Sequence, residues 1–410
     1  RDAMESRGLG DVYKRQINES EILQPQDWSF PIPIAYGPGR IAEIVDQCLQ
    51  HGIRKPLIVT DKGSEKLPFS IKLQELLNNG KITFDVFADI SPNPLDTDIA
   101  EGKKKFLDGA FDAVIAIGGG SAMDGGKAIC LVANNAYDLW DFEYERKDTP
   151  EINTNNQFPK LITIPTTAGT GAETESTAMI TDTKKGMKFC VWHHSFKPNI
   201  TILDPELTLI LPRNLTAWTG FDALTHAIEA FLVPSFNPLC DAMALEALKL
   251  VSKFLPVAYN EPNDISARAG MLVGSCLAGV SFLKGLGLVH SISHMIGAEY
   301  NTHHGLTNAI VLPVVLRFNL EGMDSQTATI AQNMHLEESS AAKLISEIEK
   351  LMGRTDIPDN LGEIGVPLDC AHRIAKKAMV DSATSTNPKK VSLMQMEDLV
   401  KTSIIGKRTT

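Results

Sequence analysis

The chain has 410 residues, of which 43% are hydrophobic and 22% charged, and it carries a net charge of -11. That length suits two ordinary globular domains, and the acidic balance excludes the basic footprint that nucleic-acid binding needs. Its six cysteines, at positions 48, 130, 190, 240, 276 and 370, include no Cys-x-x-Cys pair and read as reduced thiols of a cytoplasmic protein.

Residues 1–16 contain neither an apolar core nor the apolar stretch of a signal peptide, so they are set apart as a leader or tail. From 17 to 205 short β-branched runs alternate with helical patterns. Strands are predicted at 56–60, 82–88, 113–117, 161–164 and 200–203. Strands separated by helices imply a Rossmann-like, doubly wound, largely parallel sheet. A boundary is expected within 204–212, which contains Pro205 and Pro212. Residues 206–410 then read as an all-α domain, with clear helical periodicity at 241–259 and 341–352. The weakly polar run 269–283 stops at Lys284, is too short to span a bilayer, and is read as a core helix.

Two stretches carry chemistry. The strand at 113–117 runs into Gly118-Gly-Gly-Ser-Ala-Met-Asp-Gly-Gly-Lys127 and then a helical pattern. Glycines let a backbone approach a diphosphate, and a following helix N-terminus offers free N–H groups. Met123 stands where a Gly-x-Gly-x-x-Gly fingerprint would have its last glycine. Asp61 closes the first of the predicted strands, where an acid can accept hydrogen bonds from a ribose and repel a 2′-phosphate. The second stretch is 285–308, which holds His290, His294, His303 and His304, four of the ten histidines. Upstream, Asp222 and His226 lie four residues apart, on one face of a helix. One carboxylate and two or three imidazoles suit a divalent transition metal with a position left open. Spacing alone leaves open which histidines bind.

These segments together resemble those of the iron-containing (group III) alcohol dehydrogenases, over about residue 30 to the C-terminus. That family holds its ion with an Asp-x-x-x-His and two later histidines fourteen residues apart. The resemblance implies Asp222, His226, His290 and His304 as ligands of one divalent ion, Fe2+ or Zn2+. It leaves His294 near the site without ligating, and His303 stands where many relatives have proline. The family's Gly-Gly-Gly-Ser-x-x-Asp-x-x-Lys run is matched in full, which implies Gly119, Gly120 and Ser121 as cofactor contacts and Asp124 and Lys127 toward the nicotinamide side. Thr166 and Thr167, in Pro-Thr-Thr-Ala-Gly-Thr-Gly, match threonines that contact the nucleotide. Lys188 matches a lysine near the nicotinamide ribose. The family's layout, with Asp61 upstream of the glycine run, points to NAD.

The implied activity is hydride transfer between a small primary alcohol, or its aldehyde, and NAD. His294 is the expected proton relay, because imidazole titrates in the working range. Thr177, Leu286 and Trp192 fall near positions that line the substrate pocket in relatives. Two other classes are weighed: a lyase of the dehydroquinate synthase type, which also combines NAD with a carboxylate-and-histidine site, and a silent NAD-binding scaffold. The fourteen-residue histidine pair favours the dehydrogenases, and a silent protein has no need of all four ligands. A homodimer or larger homo-oligomer is expected, with no nucleic-acid or membrane partner.

Overall fold

In the computed structural model, residues 26–28, 32–152 and 158–406 are described. The leader expected at 1–16 lies outside the described residues.

The described residues form nine strands: β1 (Gln26–Trp28), β2 (Ile34–Tyr36), β3 (Pro56–Asp61), β4 (Asp85–Ile90), β5 (Ala113–Gly118), β6 (Lys160–Pro165), β7 (Thr177–Asp182), β8 (Met187–Trp192) and β9 (Ile200–Leu203). Seven of them build one sheet in the order β1-β2-β9-β6-β5-β3-β4, parallel throughout except for β1 at the edge. The inner strands are buried along almost their whole length, as expected of parallel strands covered on both faces. Pleat alternation divides their side chains. Leu57, Val59, Val114 and Ala116 face one layer with Ile99, Phe106 and Ile129. Ile58, Ile115, Ile162 and Ile164 face the other with Ile44, Leu73 and Leu77. The covering helices are α1 (Ile44–Gln50), α2 (Pro68–Asn79), α3 (Asp96–Asp108) and α4 (Gly120–Ala133).

Sequence and structure differ in three places, the first being β1 and β2, which no predicted strand covers. The strand predicted at 82–88 runs instead from Asp85 to Ile90, because pairing of Leu57 with Asp85 fixes its register on β3. The β7–β8 hairpin, a separate two-stranded antiparallel sheet, is absent from the sequence expectation. Its turn is closed by Asp182, whose carboxylate accepts the N–H groups of Lys184 and Lys185, and by Gly186 at φ 59°.

Beyond β9 the chain is helical. The helices are α5 (Arg213–Leu232), α6 (Pro238–Asn260), α7 (Ile265–Ser281), α8 (Leu288–Tyr300), α9 (His304–Asn319), α10 (Asp324–Asn333), α11 (Ala341–Arg354), α12 (Ala371–Ala378), α13 (Ser382–Thr386) and α14 (Leu393–Ile405). All but the short α13 share one contiguous apolar core. The segment Ile265–Lys284 is long and apolar enough to cross a membrane, but its apolar window is 72% buried inside the protein, which fits the core helix read from the sequence. α5 lies at the centre of this half, and Asp222, Thr225, His226 and Glu229 are buried in it. Polar groups placed that deep are costly unless partnered, which marks this helix as more than packing.

The two halves meet along the loop 166–176. Gly171, at φ 63°, brings its backbone against Gly279 of α7, and a Cβ on either glycine would overlap the other's backbone. A Cβ on Gly169 would overlap Thr219 of α5. The same loop buries Glu173 and Glu175, each with one carboxyl oxygen lacking a partner among the described residues.

Burial pushes Glu173 up to about 7 and Glu175 up to about 8 from an ordinary 4.5. A carboxyl that keeps its proton in the fold after the unfolded chain has lost it makes stability fall as pH rises from 4.5 toward those values. Glu175→Gln removes the share of that dependence that Glu175 contributes. In urea unfolding, the variant should gain on the wild type by on the order of 1–3 kcal/mol between about pH 5 and about pH 8, and a difference that stays flat would contradict the assignment.

Candidate active site

The strand order reverses between β3 and β5, and at such a switch point the carboxyl ends of the strands open into a crevice. Asp61 ends β3 there, beside the glycine turn that ends β5; a Cβ on Gly118 would stand 3.3 Å from Asp61 Oδ2. The Asp61 carboxylate accepts from the Gly63 N–H at 3.0 Å and the Ser64 hydroxyl at 2.7 Å. Gly119 precedes α4 without any side-chain cap, so the first N–H groups of α4, around Gly120 and Ser121, face the crevice unfilled. A Cβ on Gly120 would overlap Thr170, and Thr166 N–H bonds the Gly118 carbonyl at 2.8 Å. The glycine turn and the threonine loop are thus two lips of one opening. Asp61, Gly119, Gly120, Ser121, Thr166 and Thr167 all gather there.

Asp124 and Lys127 lie deeper. Lys127 is 1% exposed, with its ammonium 3.0 Å from Asp124 and bonded to the Thr177 carbonyl. Asp124 also accepts the Met179 N–H at 3.1 Å, so the pair ties α4 to β7. Lys188 reaches from β8 to α8, where its ammonium lies near Gly297. Burial lowers it to about 8, against the pull of Asp124 and Asp222.

Across the cleft, three helices deliver Asp222, His226, His290 and His304 to one point. Asp222 and His226 lie one turn apart on α5, His290 sits in the first turn of α8, and His304 opens α9. Their ligand atoms all lie within 4.8 Å of one another. Asp222 Oδ1 stands 3.8 Å from His226 Nε2, 3.8 Å from His290 Nε2 and 3.5 Å from His304 Nε2. Metal bonds of about 2.0–2.2 Å put tetrahedral donors roughly 3.3–3.6 Å apart, so the set is close to the size a transition ion requires. Gly305 lets α9 come this near, since any Cβ there would overlap the Trp218 carbonyl of α5.

The donor chemistry fits as well. Burial drops His226 to about 4 and takes His304 well below the ordinary imidazole range, with the His290 charge adding to both. Neutral rings with free lone pairs are what an ion binds. At the focus the Asn308 amide nitrogen donates to Asp222 Oδ1 at 2.7 Å and lies 3.2 Å from His290 Nε2 and 3.1 Å from His304 Nε2. Acceptors therefore converge on a place where a positive group is wanted.

Glu229, one turn beyond His226 on α5, was not singled out in the sequence. Its carboxylate accepts the Gly287 N–H at 3.0 Å, the Val289 N–H at 2.8 Å and His290 Nδ1–H at 2.6 Å. This fixes the His290 tautomer and leaves Nε2 facing Asp222. The signal was its place on the Asp222–His226 stripe. His294 stands apart from the four: its Nδ1 is 3.0 Å from Asp381, and its ring stacks on His304 at 5.4 Å. His303 turns away, its ring 5.0 Å from Trp218, and burial lowers it to about 4.

Comparison with known proteins agrees with this architecture. Residues 31–205 match the family model for iron-containing alcohol dehydrogenase, and residues 216–404 match that for the C-terminal part of the Fe-containing alcohol dehydrogenase family. The chain is 35% identical over 386 residues to the NAD-dependent methanol dehydrogenase of Bacillus methanolicus, covering 92% of this chain and 100% of that one. It is 33% identical over 376 residues to the 4-hydroxybutyrate dehydrogenase of Cupriavidus necator, covering 89% and 96%. A crystal structure of 1,3-propanediol oxidoreductase superposes with a TM-score of 0.85 at 32% identity, covering 90% of this chain and 97% of that one.

Glu229→Gln keeps the shape of the side chain and loses the charge that holds His290. Metal affinity, measured by competition with a chelating dye, should fall by roughly 10–100-fold while the helical content persists. An unchanged affinity would mean that His290 is oriented by packing alone.

Proposed function

The chain belongs to the iron-containing alcohol dehydrogenase family and is an oxidoreductase of that type, and from that premise we propose how its own residues divide the work. The reaction is hydride transfer between a small primary alcohol, or its aldehyde, and NAD. The observation that carries this reading is the convergence of Asp222, His226, His290 and His304 on one point across the cleft from the switch-point crevice. A divalent ion held by these four, iron by the family's description and zinc by the same donor chemistry, would withdraw charge from an alcohol oxygen and ease its deprotonation. NAD would accept the hydride.

The rest falls to the protein. The open first turn of α4, at Gly119, Gly120 and Ser121, is suited to a diphosphate, and Asp61 to the hydroxyls of a ribose. Thr166 and Thr167 form the facing lip, and Lys188 with Asp124 lies between crevice and ligand set. His294 offers Nε2, which has no partner among the described residues, as the group that carries the alcohol proton away. Thr177 and Trp192 sit opposite each other on β7 and β8, and Leu286 just before α8, where they can bound the substrate. The relatives' printed names span methanol, 4-hydroxybutyrate and 1,3-propanediol, so chain length and charge of the substrate are left to experiment.

A cytoplasmic location is proposed with this reading, supported by six cysteines that are all unpaired and mostly buried. So is assembly into a homodimer or larger homo-oligomer. The exposed apolar side chains of Phe236, Leu239 and Leu283 support it.

The deciding experiment is NADH formation from methanol, 1,3-propanediol and 4-hydroxybutyrate by iron- and zinc-loaded protein. Turnover of at least one alcohol is expected, and NAD consumption by none of them overturns the reading. Removing any of Asp222, His226, His290 or His304 should cost metal occupancy. His303→Ala should keep both the metal and most of the activity, whereas His294→Ala should keep the metal and lose roughly 10²–10⁴-fold in rate. Metal retained by His304→Ala, or lost by His303→Ala, would reverse the choice between the two neighbours.

Cofactor preference is expected to rest on Asp61. Asp61→Gly removes a charge that repels a 2′-phosphate, at about 1–3 kcal/mol, and should narrow or invert the preference of NAD over NADP. Wild-type protein that already uses NADP as well as NAD contradicts this.

A further inference from the structure

We propose that Asp381 is a positioning residue for His294, fixing the tautomer and the direction of its ring so that Nε2 alone is presented to the cleft. The inference rests on the reading of His294 as the proton relay. Asp381 and His294 are 87 residues apart in sequence, on different elements, and both side chains are almost wholly buried. Asp381 Oδ2 lies 3.0 Å from His294 Nδ1, while its Oδ1 accepts the Ala383 N–H at 2.9 Å. Burial alone would raise this carboxyl, but the neighbouring imidazoles and its hydrogen bonds hold it below the ordinary carboxylate range. It is an acceptor only, so the proton on His294 Nδ1 is the one it can bind, and the lone pair is left on Nε2.

The carboxylate cannot drift. The segment that carries it is fastened to the start of α8 by three further bonds. Thr384 Oγ1 donates to Ser291 Oγ at 2.7 Å, Thr386 Oγ1 donates to the Leu286 carbonyl at 2.7 Å, and Asn387 Oδ1 accepts the Leu288 N–H at 3.3 Å. One face of the His294 ring is covered by the nearly parallel His304 ring. The arrangement repeats, four residues along the same helix, what Glu229 does for His290. One carboxylate aims an imidazole into the ligand set, and the other aims an imidazole out of it.

The test is a double-mutant cycle on metal-loaded protein. Asp381→Asn keeps the shape but can donate to Nδ1, which favours the wrong tautomer. It should lower kcat by about 10-fold or more with metal content intact and KM values within about threefold, and Asp381→Glu should recover part of the loss. In the His294→Ala background the same Asp381→Asn change should cost less than about twofold, because a residue that acts through His294 has nothing left to position. In zinc-loaded protein, the imidazole ¹⁵N shifts of His294 should report a proton on Nδ1 in the wild type and on Nε2 in Asp381→Asn.

Equal cost of Asp381→Asn in both backgrounds, an Asp381→Asn protein as active as wild type beside an impaired His294→Ala, or loss of metal from Asp381→Asn each overturns this inference alone. A fully active His294→Ala overturns the relay reading itself, and the inference with it.

Discussion

Three hydrogen bonds to one buried carboxylate hold the centre of this molecule together. Glu229 sits on α5, and its oxygens take two backbone N–H groups at the start of α8 and the Nδ1–H of His290. The two N–H groups belong to the unpaired set that every helix leaves at its N-terminus, and burying them without an acceptor would be costly. Satisfying them with a side chain from α5 locks the first turn of α8 against the helix that carries Asp222 and His226. The position of His290 in the ligand set follows from that docking. Gly287 is part of the same constraint, because a Cβ there would press on the Glu229 carboxylate.

The cleft has a comparable logic on its other wall. Parallel strands covered on both faces leave only their ends exposed, so chemistry on the α/β side is confined to the carboxyl ends of β3, β5 and β6. The residues there are those that permit close approach and those that offer N–H groups. The charge at these ends is that of Asp61, while Lys127 and Asp124 neutralise each other beneath β7. The helical half presents the reverse, a focus of acceptors and neutral rings. An anionic diphosphate and a cationic metal are thereby suited to opposite walls, by backbone N–H groups on one and by a converging ligand set on the other.

Much of this could be read in the sequence, for physical reasons that differ by residue. Asp222 and His226 are one helical turn apart, so their shared face follows from the 3.6-residue period. The match of His290 and His304 to a spacing of fourteen drew them in as well, although only packing of α8 against α9 brings them together. Glu229 lies on the same stripe as Asp222 and His226 and was legible in principle; what hid it is that its partners are backbone groups 58 and 60 residues away. Asp381 and Asn308 had no signal of their own, since an acid and an amide are common and their roles depend on which helix ends face each other. The β7–β8 hairpin went unread because its strands show only partial alternation, with Lys188 buried where a polar residue would be expected outside. The displaced β4 shows that register is set by the neighbouring strand more than by the apolar run itself.

The meeting of Gly171 with Gly279 has a mechanical consequence. Contacts through side chains, such as that of Lys377 with the Gly186 carbonyl, can bend and re-form. Here main chain rests on main chain, with nothing between to flex. Such a point resists sliding of one half along the other more firmly than a side-chain contact does. Because this contact lies within the loop that also carries Thr166 and Thr167, it holds that lip of the crevice in place against the helical half. The β7–β8 hairpin that follows this loop is fastened to the helical half as well, where Lys377 donates to the Gly186 carbonyl at 3.0 Å.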